Sequence, residues 1–356
     1  MKTRSTTRWG AALAATAALL LSACSLGGEE TAADSSACPW EADESVDTTV
    51  RIGYQKIPNG DVVVKDQKIL ENCLPNATIE WSNFASGGDV IQAFGGGSLD
   101  IGLAGSSPST RALSEPLNLP VSVIWIHDVI GSAESLVVQE GVATDIVGLK
   151  GKTIATPFGS TAHFSLLQAI ADAGQDPTEY NLVNSEPEQI APAWGRGDID
   201  AAWIWDPTLS QLKDEGGEVI LTSEDTAEAG KPTYDLAIAD NAFIADNPKV
   251  LETWARAQDY AVTQIAEDPD KAAESVAVEV GVSTDEAKGL FDGFVFLTAE
   301  EQASADWLGG KLGENLFATA QFLLTQDGIA AVADASVYAA GVDAGPAEAA
   351  AAAQGD

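Results

Sequence analysis

The 356 residues carry 54 acidic and 18 basic side chains, a formal charge of −36, and 45% of them are hydrophobic. That length supplies two domains or two large lobes with an ample core, and so acidic a surface repels nucleic acid and anionic lipid headgroups. With two histidines, three cysteines and no CxxC, the sequence offers no metal-ligand pattern and implies no cofactor.

Lys2, Arg4 and Arg8 precede an apolar stretch of small residues and leucines at 10–21. It is too short for a stable bilayer span, so residues 1–23 read as a signal peptide. The ending Leu21-Ser22-Ala23-Cys24 resembles the bacterial lipobox and makes Cys24 the expected lipid-bearing residue; cleavage elsewhere as an ordinary signal peptide is the alternative. Residues 24–47, rich in Gly, Ser, Ala and acidic side chains, read as a flexible spacer between lipid and folded body. In an oxidising compartment the remaining Cys38 and Cys73 form an even pair, read as a disulfide or else as two buried thiols.

From residue 50 the pattern alternates strands and helices. Strand-like runs at 50–54 (VRIGY), 78–81 (TIEW), 99–104 and 121–126 are separated by helical segments at 65–72, 88–94 and 108–114. The order restarts at 152–156 (KTIAT), 181–184, 200–204 and 218–221, with helices at 160–173, 188–194 and 207–215. This alternation predicts an α/β fold with largely parallel sheets. The stretches 93–108 (AFGGGSLDIGLAGSSP) and 193–207 (AWGRGDIDAAWIWDP) repeat one pattern: aromatic, glycine turn, Asp, apolar run, polar-Pro step. Two similar lobes follow, lobe 1 from 48–134 plus 238–343 and lobe 2 from 135–237, linked by crossing strands 134–138 and 235–239. Residues 344–356 (AGPAEAAAAAQGD) read as a disordered tail. A two-lobed body with a double hinge closes on a small ligand, at the carboxyl ends of its strands.

Enzyme signatures fail on inspection. Gly151-Lys152-Thr153 has Ile146 where a P-loop needs its first glycine, and no G-x-S-x-G elbow surrounds Ser106 or Ser160. Binding features are better formed. The strand-to-helix junctions at 105–108 and 158–163 present Ser106, Ser107, Ser160, Thr161 and His163, and such junctions offer free N–H groups and hydroxyls to an anion, although Ser and Thr there also serve as plain caps. Glu134 and Asp235 open the two crossing strands, where a carboxylate needs a partner or a cationic ligand; solvent exposure at a strand end is the alternative. Tyr54, Trp125, Trp203 and Trp205 add aromatic surface, with Trp205 nearest a strand's carboxyl end. Asp206, before Pro207, reads as a helix cap, and His127 as a strand-end residue at an edge.

The segments GYQ (53–55), GSSP (105–108), SAESLVV (132–138), PFGSTAHFSLL (157–167), AAWIWDP (201–207) and PTYDLAI (232–238) resemble the taurine-binding periplasmic components of bacterial ABC importers, in order and across most of residues 50–340. The resemblance implies a type II periplasmic solute-binding fold and a monomer that binds a small sulfonate and docks with an ABC permease. The protein would be exported and lipid-anchored at the outer face of the cytoplasmic membrane. It places the sulfonate on Ser106, Ser107, Ser160, Thr161 and His163, and the ammonium on Glu134 and Asp235. Gln55 and Trp205 would shape the pocket. Residues 56–61 and 125–127 depart from the family pattern. Binders of alkanesulfonates, nitrate or pyrimidine precursors share the scaffold, and an enzyme built on it, with His163 as base, is the further alternative.

Overall fold

The structure, a computed structural model, describes residues 37–353; the expected signal peptide and Cys24 lie outside them. Eleven strands are present among the described residues: β1 Thr49–Tyr54, β2 Thr78–Asn83, β3 Ile101–Gly105, β4 Val121–Ile130, β5 Glu134–Val138, β6 Thr153–Thr156, β7 Asn181–Asn184, β8 Ala201–Trp205, β9 Glu218–Thr222, β10 Tyr234–Asp240 and β11 Phe294–Val295. They form two sheets, ordered β11-β4-β10-β3-β1-β2 and β7-β6-β8-β5-β9. The helices used below are α1 Gly60–Asp66, α2 Ile69–Cys73, α3 Gly87–Gly95, α4 Ser106–Ala112 and α5 Thr161–Asp172.

The two sheets are built on one plan. Each has a parallel trio, β2-β1-β3 and β7-β6-β8, flanked by one antiparallel strand, β10 or β5. The repeat seen in the sequence has the same local chemistry in both copies. Gly97 and Gly197 take φ of +68° and +72° to close the preceding helix, a conformation that glycine adopts without steric cost. Asp100 and Asp200 then accept the backbone N–H of Arg51 and Thr153, each at 2.8 Å, which ties the third strand of the trio to the first. In the second sheet Leu136, Val138, Ala201 and Trp203 pack in one apolar cluster and Val137, Ala202 and Ile204 in another. Successive residues thus go to opposite covered faces, as a largely parallel sheet requires.

Several expected boundaries move. The whole of β10 pairs with β3 and β4, so residues 234–237 belong with the first sheet, not with lobe 2, and the chain crosses in the loops just before β5 and β10. The expected flexible spacer is ordered from Cys38, where a Cys38–Cys73 disulfide spans 35 positions. Closing a loop of that length stabilises by about 4 kcal/mol in the chain-entropy account. Trp40 lies edge-on to Tyr260 and under Arg256, and Lys249 pairs with Asp43 at 3.0 Å, which holds this segment on the helix Pro248–Glu267.

The expected disordered tail is also corrected: Gly345–Ala353 is a helix with Pro346, Ala347 and Ala350 buried. Alanine has the highest helix propensity, and small side chains let this helix lie close against Pro248–Glu267. Low complexity in the sequence masked a packed face.

Candidate functional site

Because β10 and β5 run antiparallel to their neighbours, their first residues lie beside the carboxyl ends of the parallel strands. Asp235 is in register with Gly105 at the end of β3, and Glu134 with Trp205 at the end of β8. The carboxyl ends of both sheets therefore meet, and a small cavity of about 20 Å³ lies there. Gln55, Glu134, Ser160, Thr161, Trp205 and Asp235 line it, together with Gly87, Gly105, Pro108, Ile57, Ile130 and Phe294. A larger groove outside it shares Gln55 and Trp205, which stand between the two spaces.

Three helix starts reach this cavity: Gly87 opens α3, Gly105 caps α4 and Ser160 caps α5. Their first-turn N–H groups have no partner within the helix and favour negative charge. The packing is close enough to require glycine. A Cβ on Gly87 would stand 2.8 Å from Pro108 Cγ, and one on Gly105 would stand 2.5 Å from Thr161 Cγ2. The second contact joins the two halves, so the rims of the cleft touch.

Glu134 is buried, and both its oxygens are held: Thr161 Oγ1 donates to Oε2 at 2.5 Å and Ser223 Oγ to Oε1 at 2.6 Å. Burial outweighs these hydrogen bonds and pushes its carboxyl up to about 7. Burial, and then the Glu134 charge, push Asp235 up as well. Asp61 rises to about 7 by burial alone, although Gln258 Nε2 donates to it at 2.7 Å. Glu134 and Asp61 hold protons when folded that the unfolded chain releases near pH 4, so the ligand-free protein loses stability as pH rises from about 5 to 7. A melting temperature at pH 8 equal to or above that at pH 5.5 would contradict this picture.

The other anticipated residues sit differently. Ser106, Ser107 and His163 do not line the cavity. Ser106 Oγ accepts from Tyr234 N–H at 3.3 Å, while Ser107 Oγ is buried without a protein partner. The expected Ser107 cap is in fact the second residue of α4, and Pro108 the third, since proline is tolerated where N–H groups have no helical acceptor. His163 stacks on Phe158 at 4.4 Å, and its Nδ1 accepts from Gly159 N–H. Burial, then the Arg111 charge, hold it down to about 4, so it is neutral at pH 7. Gln55 Nε2 donates to Leu103 O at 3.1 Å.

Asp206 stands one residue before the cap position, which Pro207 occupies, and its Oδ1 reaches into the first turn, accepting from Ser210 N–H at 2.9 Å and from Ser210 Oγ at 2.6 Å. Trp203 and Trp125 are fully buried core residues, and Tyr54 packs edge-on to Trp81. His127 is not at a strand end, because β4 continues to Ile130. It is buried 3.5 Å from Asp61, and burial pushes it down to about 3.

Sequence reasoning missed Gly87, Ser223 and Asp128. The glycine pair Gly87-Gly88 before a helical run was a usable signal for the first. Ser223 carries none in the sequence. Asp128 follows the apolar run 121–126, and its polarity makes β4 read as ended, whereas the strand continues to Ile130.

Residues 80–272 match the family model described as NMT1/THI5 like. The taurine-binding periplasmic protein of Escherichia coli (strain K12) is 34% identical over 264 residues, 72% of this chain and 81% of that protein. A putative aliphatic sulfonates-binding protein of the same organism is 33% identical over 51% of this chain and 56% of its own length. Among solved structures, the alkanesulfonate-binding protein SsuA from Xanthomonas axonopodis pv. citri, bound to MOPS, superposes with a TM-score of 0.69 at 21% identity, covering 82% of this chain and 97% of that one. That likeness gives the fold, two α/β halves of periplasmic-binding-protein type. On the family match and the 34% identity together, the chain belongs to the NMT1/THI5-like family.

Proposed function

We propose that this protein is the extracytoplasmic binding component of an ABC importer and takes taurine, or a closely related short aminoalkanesulfonate, into the cavity between its two lobes. The observation that carries the reading is the mixture on one cavity wall: two buried carboxylates, Glu134 and Asp235, interleaved with the starts of α3, α4 and α5. A carboxylate buried beside its neighbour needs a cation, and helix starts favour an anion. A short zwitterion meets both within one small space. Trp205 and Phe294 supply apolar surface for its carbon chain.

Closure brings Gly105 against Thr161 and stabilises the liganded state by population shift, with no covalent step. His163, the base that an enzyme on this scaffold would use, faces Phe158 and Gly159 instead of the cavity. Export and a lipid at Cys24 complete the proposal, with the folded body held near the permease as a monomer.

A thermal-shift screen tests the ligand. Taurine at about 100 times its dissociation constant adds about 2.7 kcal/mol to stability, and so raises the melting temperature. Ethanesulfonate, which lacks the amine, raises it less. A shift with ethanesulfonate, nitrate or a pyrimidine precursor and none with taurine would replace this reading.

A further inference from the structure

Asp128 does not line the cavity, yet its position calls for a role. It is fully buried on β4, directly opposite Asp235 on β10, and the Asn59 amide, which is turned toward it and lowers its pKa, falls short of full hydrogen-bond geometry with either oxygen. An unsatisfied buried carboxylate is costly. Cross-strand partners of this kind have side chains about 5 Å apart, so two carboxyl groups here share one space.

The polar groups facing Asp128 are Asp235 from β10, Glu134 from β5 and the Asn59 amide from the segment before α1. None is a cation. On the neighbouring position His127 faces Asp61 from α1, and burial keeps that imidazole neutral. β11 offers only Phe294 and Val295 to β4. Two carboxylates with no cation between them are not both ionised; one keeps its proton and donates it to the other. A carboxylic acid O–H from Asp128 to Asp235 satisfies both groups.

We infer that Asp128 is a positioning residue of the binding site: it holds a proton donated to Asp235 in the ligand-free protein, and the arriving ammonium group of the ligand displaces that proton to solvent. Burial, the Asp235 charge and the Glu134 charge all raise Asp128 well above the ordinary carboxyl range, in keeping with this arrangement. The local backbone supports it as well. The ladder steps from Asp235 opposite Asp128 to Leu236 opposite Ile126, so His127 is an extra residue in β4. Bulges of this type re-aim side chains beside binding sites, and here the bulge allows adjacent residues to serve two separate polar clusters. The inference rests on reading the cavity as an ammonium site.

Its test has a ligand-bound arm and a ligand-free arm. Calorimetry of taurine binding at pH 7, in buffers of differing ionisation enthalpy, is expected to show net proton release. Taurine affinity then rises with pH, by at most about tenfold per unit for one displaced proton. Asp128→Asn supplies a permanent N–H donor, so the release and the pH slope fall, while Asp128→Leu, with no donor, binds more weakly than Asp128→Asn. Proton uptake, no exchange, or full release retained in Asp128→Asn overturns the inference. Infrared spectroscopy of the ligand-free protein at pH 7 gives the independent arm. The carbonyl stretch of a protonated carboxylic acid is expected, reduced in Asp128→Asn beyond any reduction in Glu134→Gln; an unchanged band in Asp128→Asn overturns the pair. If taurine does not bind but the band behaves as expected, the functional reading fails and the proton pair stands.

Discussion

Replacing Glu134 by Gln and Asp235 by Asn together is expected to abolish the preference for taurine over ethanesulfonate. Truncating one member of a buried, hydrogen-bonded charge pair costs about 2–5 kcal/mol, or about thirtyfold to several-thousandfold in affinity. The folded state should survive, because both amides fill the same volume and remove two buried acids whose ionisation opposes folding. After Glu134→Gln the side chain keeps one oxygen, which can still accept from Thr161 or Ser223. Isothermal titration of both ligands against the variant decides the matter. Taurine affinity within threefold of the unsubstituted protein would remove these two residues from the ammonium site and, with them, the main support for an aminosulfonate ligand.

Gly105→Ala is expected to weaken ligand binding by about tenfold or more while leaving each sheet intact. The added methyl would stand 2.5 Å from Thr161 Cγ2, across the cleft, and 3.5 Å from Tyr234 O on its own side. Overpacking on that scale costs about 1–3 kcal/mol, and the cleft relieves it by opening. Thr161→Ser removes the opposing methyl but keeps the hydroxyl that donates to Glu134. The double variant should therefore recover affinity that the single one loses, with the coupling read from a double-mutant cycle. If Thr161→Ser gives no recovery, the rim contact is not what Gly105 protects.

Much of this is legible without the structure, because repetition and chain order are written in residue types. The glycine turn and Asp at 97–100 and 197–200 specify the same helix stop and the same strand tie twice. Glu134 and Asp235 stand out as charged residues opening apolar strands. What stays hidden depends on partners far away in the chain. Ser223 reaches Glu134 from 89 positions on, and a single serine has no pattern to announce it. Ser160 and Thr161 read as anion ligands in the sequence, yet the Ser160 hydroxyl donates to Pro157 O and the Thr161 hydroxyl to Glu134. The Ser160 N–H is taken as well, donating to Pro157 O at 3.3 Å, so the Thr161 N–H, at the first position of α5, is what this pair offers. Asp128 escapes notice because a bulge breaks the alternation on which strand reading relies.

The rim and the acids are built from the same neighbours. Asp235 stands beside Gly105 on the first sheet, and Glu134 accepts a hydrogen bond from Thr161 on the second. Any change in how Gly105 faces Thr161 is therefore also a change in how far apart the two carboxylates stand. The charge that a ligand meets and the fit of the rim behave as one variable, so a rim substitution such as Gly105→Ala would alter capture and release together.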